Sequence, residues 1–75
     1  MEDGIEKKIL LEMAERLVAK RSEIVKFLQG NGNFSKEAIA AVTKALLERG
    51  LLTPVYSSEI TYAITQKGLK EASRF

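Results

Sequence analysis

The stretch ERGLLTPVYSSEITYAITQKG, residues 48–68, starts with the last turn of a helix and passes through two runs rich in β-branched and aromatic residues. It ends in the residues of another helix start. Gly50 stands where a left-handed residue commonly follows a helix end. Residues 51–56 and 60–65 favour extended structure, and in the second run Ile60, Tyr62 and Ile64 alternate with Glu59, Thr61, Ala63 and Thr65. The two runs pair most simply as a hairpin turning at Ser57, Ser58 and Glu59. Pro54 cannot donate to a strand ladder, so the first strand belongs at an edge or is locally irregular. Thr65 is placed to cap a short last helix from about Gln66, which would lay Leu69 and Ala72 on the core.

Upstream of this hairpin the pattern is helical. Asp3 and, three residues on, Glu6 make a capping-box pair, and Ile5, Ile9, Met13 and Leu17 follow at helical spacing. Lys20 and Arg21 interrupt the stripe, and Ser22 is a suitable cap for a short second helix carrying Ile24, Val25, Phe27 and Leu28; an unbroken helix over 5–28 is the competing reading. Gly30, Asn31, Gly32 and Asn33 tolerate positive φ and mark a sharp turn. Ser35 then caps a third helix, Phe34 before it can staple onto Ile39, and Ile39, Val42, Leu46 and Leu47 form the inward face. Phe34, Ile39, Val42, Leu46, Ile60, Tyr62 and Ile64 are expected to share one buried side.

The chain has 75 residues, with no cysteine and no histidine. Disulfides, thiolate and imidazole metal sites, and Cys or His nucleophiles are thereby excluded, so a binding role is expected rather than an enzymatic one, with no cofactor and no metal. The paired acids near the start suit a helix dipole and need no catalytic role, and Gly30 to Asn33 lack the Gly-Lys-Ser/Thr ending of a phosphate loop. The net charge is +2, but it is uneven: residues 1–16 hold five acids and three bases, residues 17–49 six bases and three acids. The basic middle points to a polyanion. No apolar run approaches the ~20 residues that cross a bilayer, and the acidic start lacks the plan of a signal peptide. No membrane association is expected, and the expected location is the cytoplasm.

The order helix, helix, Gly-rich turn, helix, Gly, hairpin, helix resembles a winged helix-turn-helix domain of the MarR-like and PadR-like transcription regulators. The specific matches are the Leu-x-x-x-Gly-Leu run from Leu46 to Leu51 and the Tyr-x-Ile-Thr-x-x-Gly run through Tyr62, Ile64, Thr65 and Gly68. The resemblance implies an α+β fold over 1–75 as a single winged-helix domain: three main helices, a two-stranded β-hairpin wing and a short C-terminal helix. It also implies double-stranded DNA binding through the third helix, as a small transcriptional regulator or chromatin-type protein.

On that helix Lys36, Glu37, Ala40, Ala41 and Lys44 should face solvent, with Lys20, Arg21 and Lys26 near the second helix and Ser57 and Ser58 at the wing tip as further nucleic-acid contacts. The helix has no Arg, Asn or Gln on this face to pair with guanine or adenine, and Glu59 at the wing would repel phosphate. These departures keep open an alternative, a winged-helix module that binds a protein partner in a replication, transcription or membrane-remodelling assembly. Tyr56 and Tyr62 read as hairpin packing rather than a base-stacking platform. Leu10 and Leu11 widen the apolar stripe of helix one, so a homodimer through the N-terminal helix and the helix ending at Phe75 is expected.

Overall fold

The computed structural model of the chain describes residues 2–30 and 32–75, the side chains of Glu2 and Asp3 apart. The elements run α1 (Glu2–Arg16), β1 (Val18–Lys20), α2 (Arg21–Gly30), α3 (Lys36–Glu48), β2 (Leu52–Val55), β3 (Thr61–Ile64) and α4 (Gln66–Ala72). The strands form one antiparallel sheet in the order β1-β3-β2. The fold is α+β, a winged helix-turn-helix: α2 and α3 are the helix-turn-helix pair, and the β2–β3 hairpin is the wing. Pro54 sits on β2, an edge strand, where its missing N–H costs no ladder bond.

Between α1 and α2 the chain breaks as the two-helix reading expects, which overturns the competing unbroken helix, and β1 adds an unexpected third strand beside the two-stranded wing. Helix α1 stops at Leu17, whose N–H still reaches the Met13 carbonyl at 2.6 Å but whose φ is +70°. That left-handed step turns the chain into β1, which pairs Ala19 with Tyr62, while the Leu17 carbonyl accepts from Ile64 N–H at 3.0 Å. Ser22 is not the cap of α2, because the helix already begins at Arg21. Lys20 precedes that start, and Glu23 Oε1 accepts its backbone N–H at 2.8 Å, the returning half of a capping box. The same carboxylate meets Arg16 at 2.7 Å. The Lys20 amide holds the Glu23 carboxyl below its ordinary range, against a smaller opposing effect of desolvation, and Arg16 and Lys20 add their charges.

At the N-terminus α1 starts at Glu2, so Asp3 lies in its first turn rather than at a cap, and Glu6 is paired with Arg49 instead of closing a capping box. Asn31, expected in the turn before α3, lies outside the described residues, and Gly30 closes α2.

The start of α3 forms as its sequence dictates: Ser35 Oγ accepts from Ala38 N–H at 3.1 Å. Its end is a Schellman motif, with Leu51 N–H on the Leu46 carbonyl (2.9 Å), Gly50 N–H on Leu47 (3.1 Å) and Gly50 at φ +77°. Thr65 caps α4 through Gly68 N–H at 3.0 Å.

The core gathers Ile5, Ile9, Leu10 and Met13 of α1, Ala19 of β1, Ile24 and Leu28 of α2, Ile39, Val42 and Leu46 of α3, and Leu51, Leu52, Tyr62 and Ala72. Phe34, Leu47 and Ile64 pack against it, partly buried. Two expected members differ. Ile60 is 55 % exposed, and Leu69 of α4 is also exposed. Ile60 keeps the inward parity of Tyr62, but it lies beyond the end of β3, where the helices no longer cover that face. Most of the wide stripe of α1 is consumed within the chain: Ile5, Ile9, Leu10 and Met13 are buried, while Leu17 just past the helix end is exposed, and Leu11, Leu69 and Phe75 are the further exposed apolar residues of α1 and the C-terminal segment.

Three measurements follow. A Cβ at Gly68 would collide with the Leu51 carbonyl and lie 2.7 Å from Ile64 Cγ1, whereas one at Gly50 would meet nothing and cost only the left-handed conformation. In urea unfolding Gly68→Ala should therefore lose about 3 kcal/mol, in the range of overpacked cores, and Gly50→Ala about 1 kcal/mol. Equal losses would show that the close approach is not what holds this junction. Leu17→Gly relieves the strained φ of a half-exposed side chain and should stabilise by about 0.5–1 kcal/mol. Because the Glu23 carboxyl is depressed in the folded state, its contribution is present above the unfolded carboxylate pKa and is lost as pH falls through the folded one. Glu23→Gln should accordingly lower the melting temperature near neutral pH, and the gap from the parent should close on acidification below the carboxylate range.

Candidate nucleic-acid interface

An open groove of about 940 Å³ runs between α2, α3 and the approach to β3. On the α3 side it is lined by Lys36, Ala40 and Lys44, one stripe at i, i+4, i+8, with Ile39, Thr43 and Leu47 deeper. Helix α2 supplies Arg21, Ile24, Val25, Lys26 and Gln29, and the wing side supplies Glu59, Ile60 and Tyr62. Its walls are fixed by the core, and one of them by a single backbone bond: Arg21 N–H donates to the Ile60 carbonyl at 2.8 Å, tying the start of α2 to the entry of β3. Thr43, buried in the groove wall, has its hydroxyl satisfied by the Ile39 carbonyl at 2.8 Å.

The charges divide sharply between paired and unpaired. Arg16 pairs with Glu12 and Glu23, Lys20 with Glu59 at 3.2 Å, Arg49 with Glu6 and Glu71, and Arg74 with Glu71. Lys7 lies over the Phe75 ring, 5.8 Å from its centroid, and Lys67 donates to the Arg49 carbonyl at 2.9 Å. Lys8, Arg21, Lys26, Lys36, Lys44 and Lys70 make no side-chain ion pair among the described residues, and four of these six, Arg21, Lys26, Lys36 and Lys44, line the groove. Among the groove-lining residues the carboxylate is Glu59, at the wing end, which Lys20 offsets, and Glu37 is exposed on the adjoining stripe of α3.

Of the residues singled out in the sequence, the groove therefore gathers Arg21, Lys26, Lys36, Ala40 and Lys44. Glu37 and Ala41 are exposed on the adjoining stripe of α3 and do not line it, and Lys20 is engaged with Glu59. At the wing the Ser57 hydroxyl donates to the Glu59 carbonyl at 2.6 Å and lies 3.0 Å from Thr61 Oγ1, so it belongs to the turn. Ser58 makes no side-chain hydrogen bond among the described residues and lies outside the groove. Tyr56, read as a packing residue, is 97 % exposed instead. Sequence reasoning missed Gln29 and Ile60 as groove residues. Nothing local marks them, since both enter only because α2 is set across α3 and the hairpin overshoots the helices.

No family model matches the sequence, and no curated protein matches it. Among solved structures, Lactococcus lactis ZitR in the apo form of its C30AH42A mutant superimposes with a TM-score of 0.80 at 19 % identity, covering 97 % of this chain and 55 % of that one. A second structure of the same ZitR mutant gives a TM-score of 0.76 at 20 % identity, covering 95 % of this chain and 48 % of that one. The chain thus spans about half the length of the ZitR structures it matches. At this identity the likeness shows the fold: the helices, the three-stranded sheet and the hairpin wing are arranged as in a winged-helix regulator.

Proposed function

We propose that this chain binds double-stranded DNA through the α2–α3 face, as a small transcriptional regulator or chromatin-type protein of the MarR-like or PadR-like kind, working in the cytoplasm and carrying out no catalysis. The observation that carries the reading is the collection of the unpaired cations Arg21, Lys26, Lys36 and Lys44 along one groove. A duplex gains affinity where such cations displace condensed counterions from its phosphates.

Helix α3 would lie in the major groove with Lys36 and Lys44 reaching backbone phosphate. Glu37 could accept from a cytosine amino group, and Ala40 and Ala41 could meet thymine methyls. Arg21 and Lys26 would hold the flanking strand from α2. With no Arg, Asn or Gln on the exposed face of α3, discrimination between sequences is weak, and affinity comes chiefly from the backbone. Reading two half-sites would call for a homodimer through α1 and α4, for which Leu11, Leu69 and Phe75 are the available apolar surface.

Anisotropy titrations of a labelled duplex at increasing salt test this directly. Four neutralised phosphates give a log–log slope of about −3.6, which is a loss on the order of 10²-fold in affinity between 50 and 200 mM salt. Lys36→Gln and Lys44→Gln should each flatten the slope by about 0.9, while Lys70→Gln on α4 leaves it unchanged. Binding that does not respond to salt, or an equal effect of Lys70→Gln, would remove the groove from the interface.

A further inference from the structure

The groove has a second property that is of little use to a duplex. The open apolar surface of its floor is carried by Val25 and Leu47, both half-buried, and by Ile60, which stands 55 % exposed at the wing end, over Ile24, Ile39 and Tyr62 of the core. DNA presents mainly phosphates and polar base edges, so a bound duplex would make little use of the apolar surface of Val25, Leu47 and Ile60. We infer that the groove between α2, α3 and β3 also seats an acidic amphipathic helix of a protein partner, its apolar stripe on Ile60 and the floor and its carboxylates against Arg21, Lys26, Lys36 and Lys44.

Charge complementarity fixes the sign of the partner: the rim cations lack acid partners among the described residues, and a row of carboxylates beside an apolar stripe satisfies both rim and floor. The backbone fixes its conformation. The groove lies between two helices, and β3 is paired on both sides, to β1 and β2. The carbonyl of Ile60 is taken by Arg21 N–H. An extended segment would find no strand edge to pair with, whereas a helix satisfies its own amides and carbonyls and presents only side chains. Ile60 is the anchor on the receptor side: that same hydrogen bond holds its backbone, so its exposed side chain needs little ordering on binding.

This inference uses the cations of the DNA-binding reading but does not depend on it, and one set of experiments separates the two. The probe is a lactam-stapled helical peptide of about 14 residues, with Leu at i, i+4, i+7 and i+11 for one stripe and Glu on both flanks. Its controls are a scramble of identical composition and a version with every Leu replaced by Ser. The probe should bind the full chain at least tenfold more tightly than either control and should displace labelled duplex where duplex binds. Ile60→Ser, a change at an exposed position, should weaken the probe about tenfold or more, as loss of one buried aliphatic contact does. It should leave the thermal melt intact. Lys36→Gln should weaken probe and duplex alike. Equal binding of the scramble, or a probe indifferent to Ile60→Ser, overturns the inference whatever the duplex does. A duplex that fails to bind while the probe shows the Ile60 dependence overturns the DNA reading alone.

Discussion

The carbonyl of Leu51 is the point on which the arrangement of helices and wing depends. It accepts from Thr65 N–H at 3.0 Å and shares the Thr65 hydroxyl, at 3.1 Å, with the Gly50 carbonyl at 2.7 Å. Gly68 lies against it so closely that no Cβ fits. The end of α3, the exit of β3 and the first turn of α4 are thus held in one knot of backbone groups and one hydroxyl, which also caps α4 through Gly68 N–H. A side chain at residue 68 would push α4 off the end of α3, and since α1 packs on both α3 and α4, the N-terminal helix would lose its seat as well. The Leu-x-x-x-Gly-Leu and Thr-x-x-Gly runs are therefore two halves of one contact, which is the physical reason they occur in the same chain in this order.

Around that knot the charges have been sorted by the fold. Arg49, at the C-cap of α3, reaches Glu6 of α1 and Glu71 of α4, while its carbonyl takes Lys67. These pairs are partly exposed and individually contribute little, but they use up cations and acids on the side of the molecule away from the groove. Of the cations left without an ion pair among the described residues, the four of α2 and α3 line the groove, while Lys8 and Lys70 lie outside it. A net charge of +2 understates the local field, since Arg21, Lys26, Lys36 and Lys44 stand together along the groove.

Much of this was legible where local chemistry decides the backbone. Ser35, Gly50 and Thr65 act as read because a hydroxyl acceptor or a missing Cβ settles a helix end without reference to the rest of the chain. Pro54 placed β2 at an edge for the same kind of reason. Strand β1 was hidden because its entry is made by Leu17, a residue with no local preference for φ +70°, under the pull of ladder bonds to a strand more than forty residues away. Ser22 looked like a cap, yet the chain leaves β1 directly into α2, and Glu23 closes the turn on the Lys20 amide instead. Ile60 alternated correctly with Tyr62 and was still wrongly placed in the core, because alternation gives the face of a sheet and not how far the covering layer extends.

The groove inherits its character from that last limit. Had α2 and α3 extended over the entry of β3, Ile60 would be core and the channel a purely basic surface suited to phosphate alone. As it stands, the apolar surface of Val25, Leu47 and Ile60 lies among the four cations, and the bond from Arg21 N–H to the Ile60 carbonyl ties the start of α2 to the wing beside it. A surface of this composition answers to more than charge. Phosphate can engage the rims and ignore the floor, whereas an amphipathic acidic helix engages both, so two polyanions of different shape would compete for the same four cations on unequal terms.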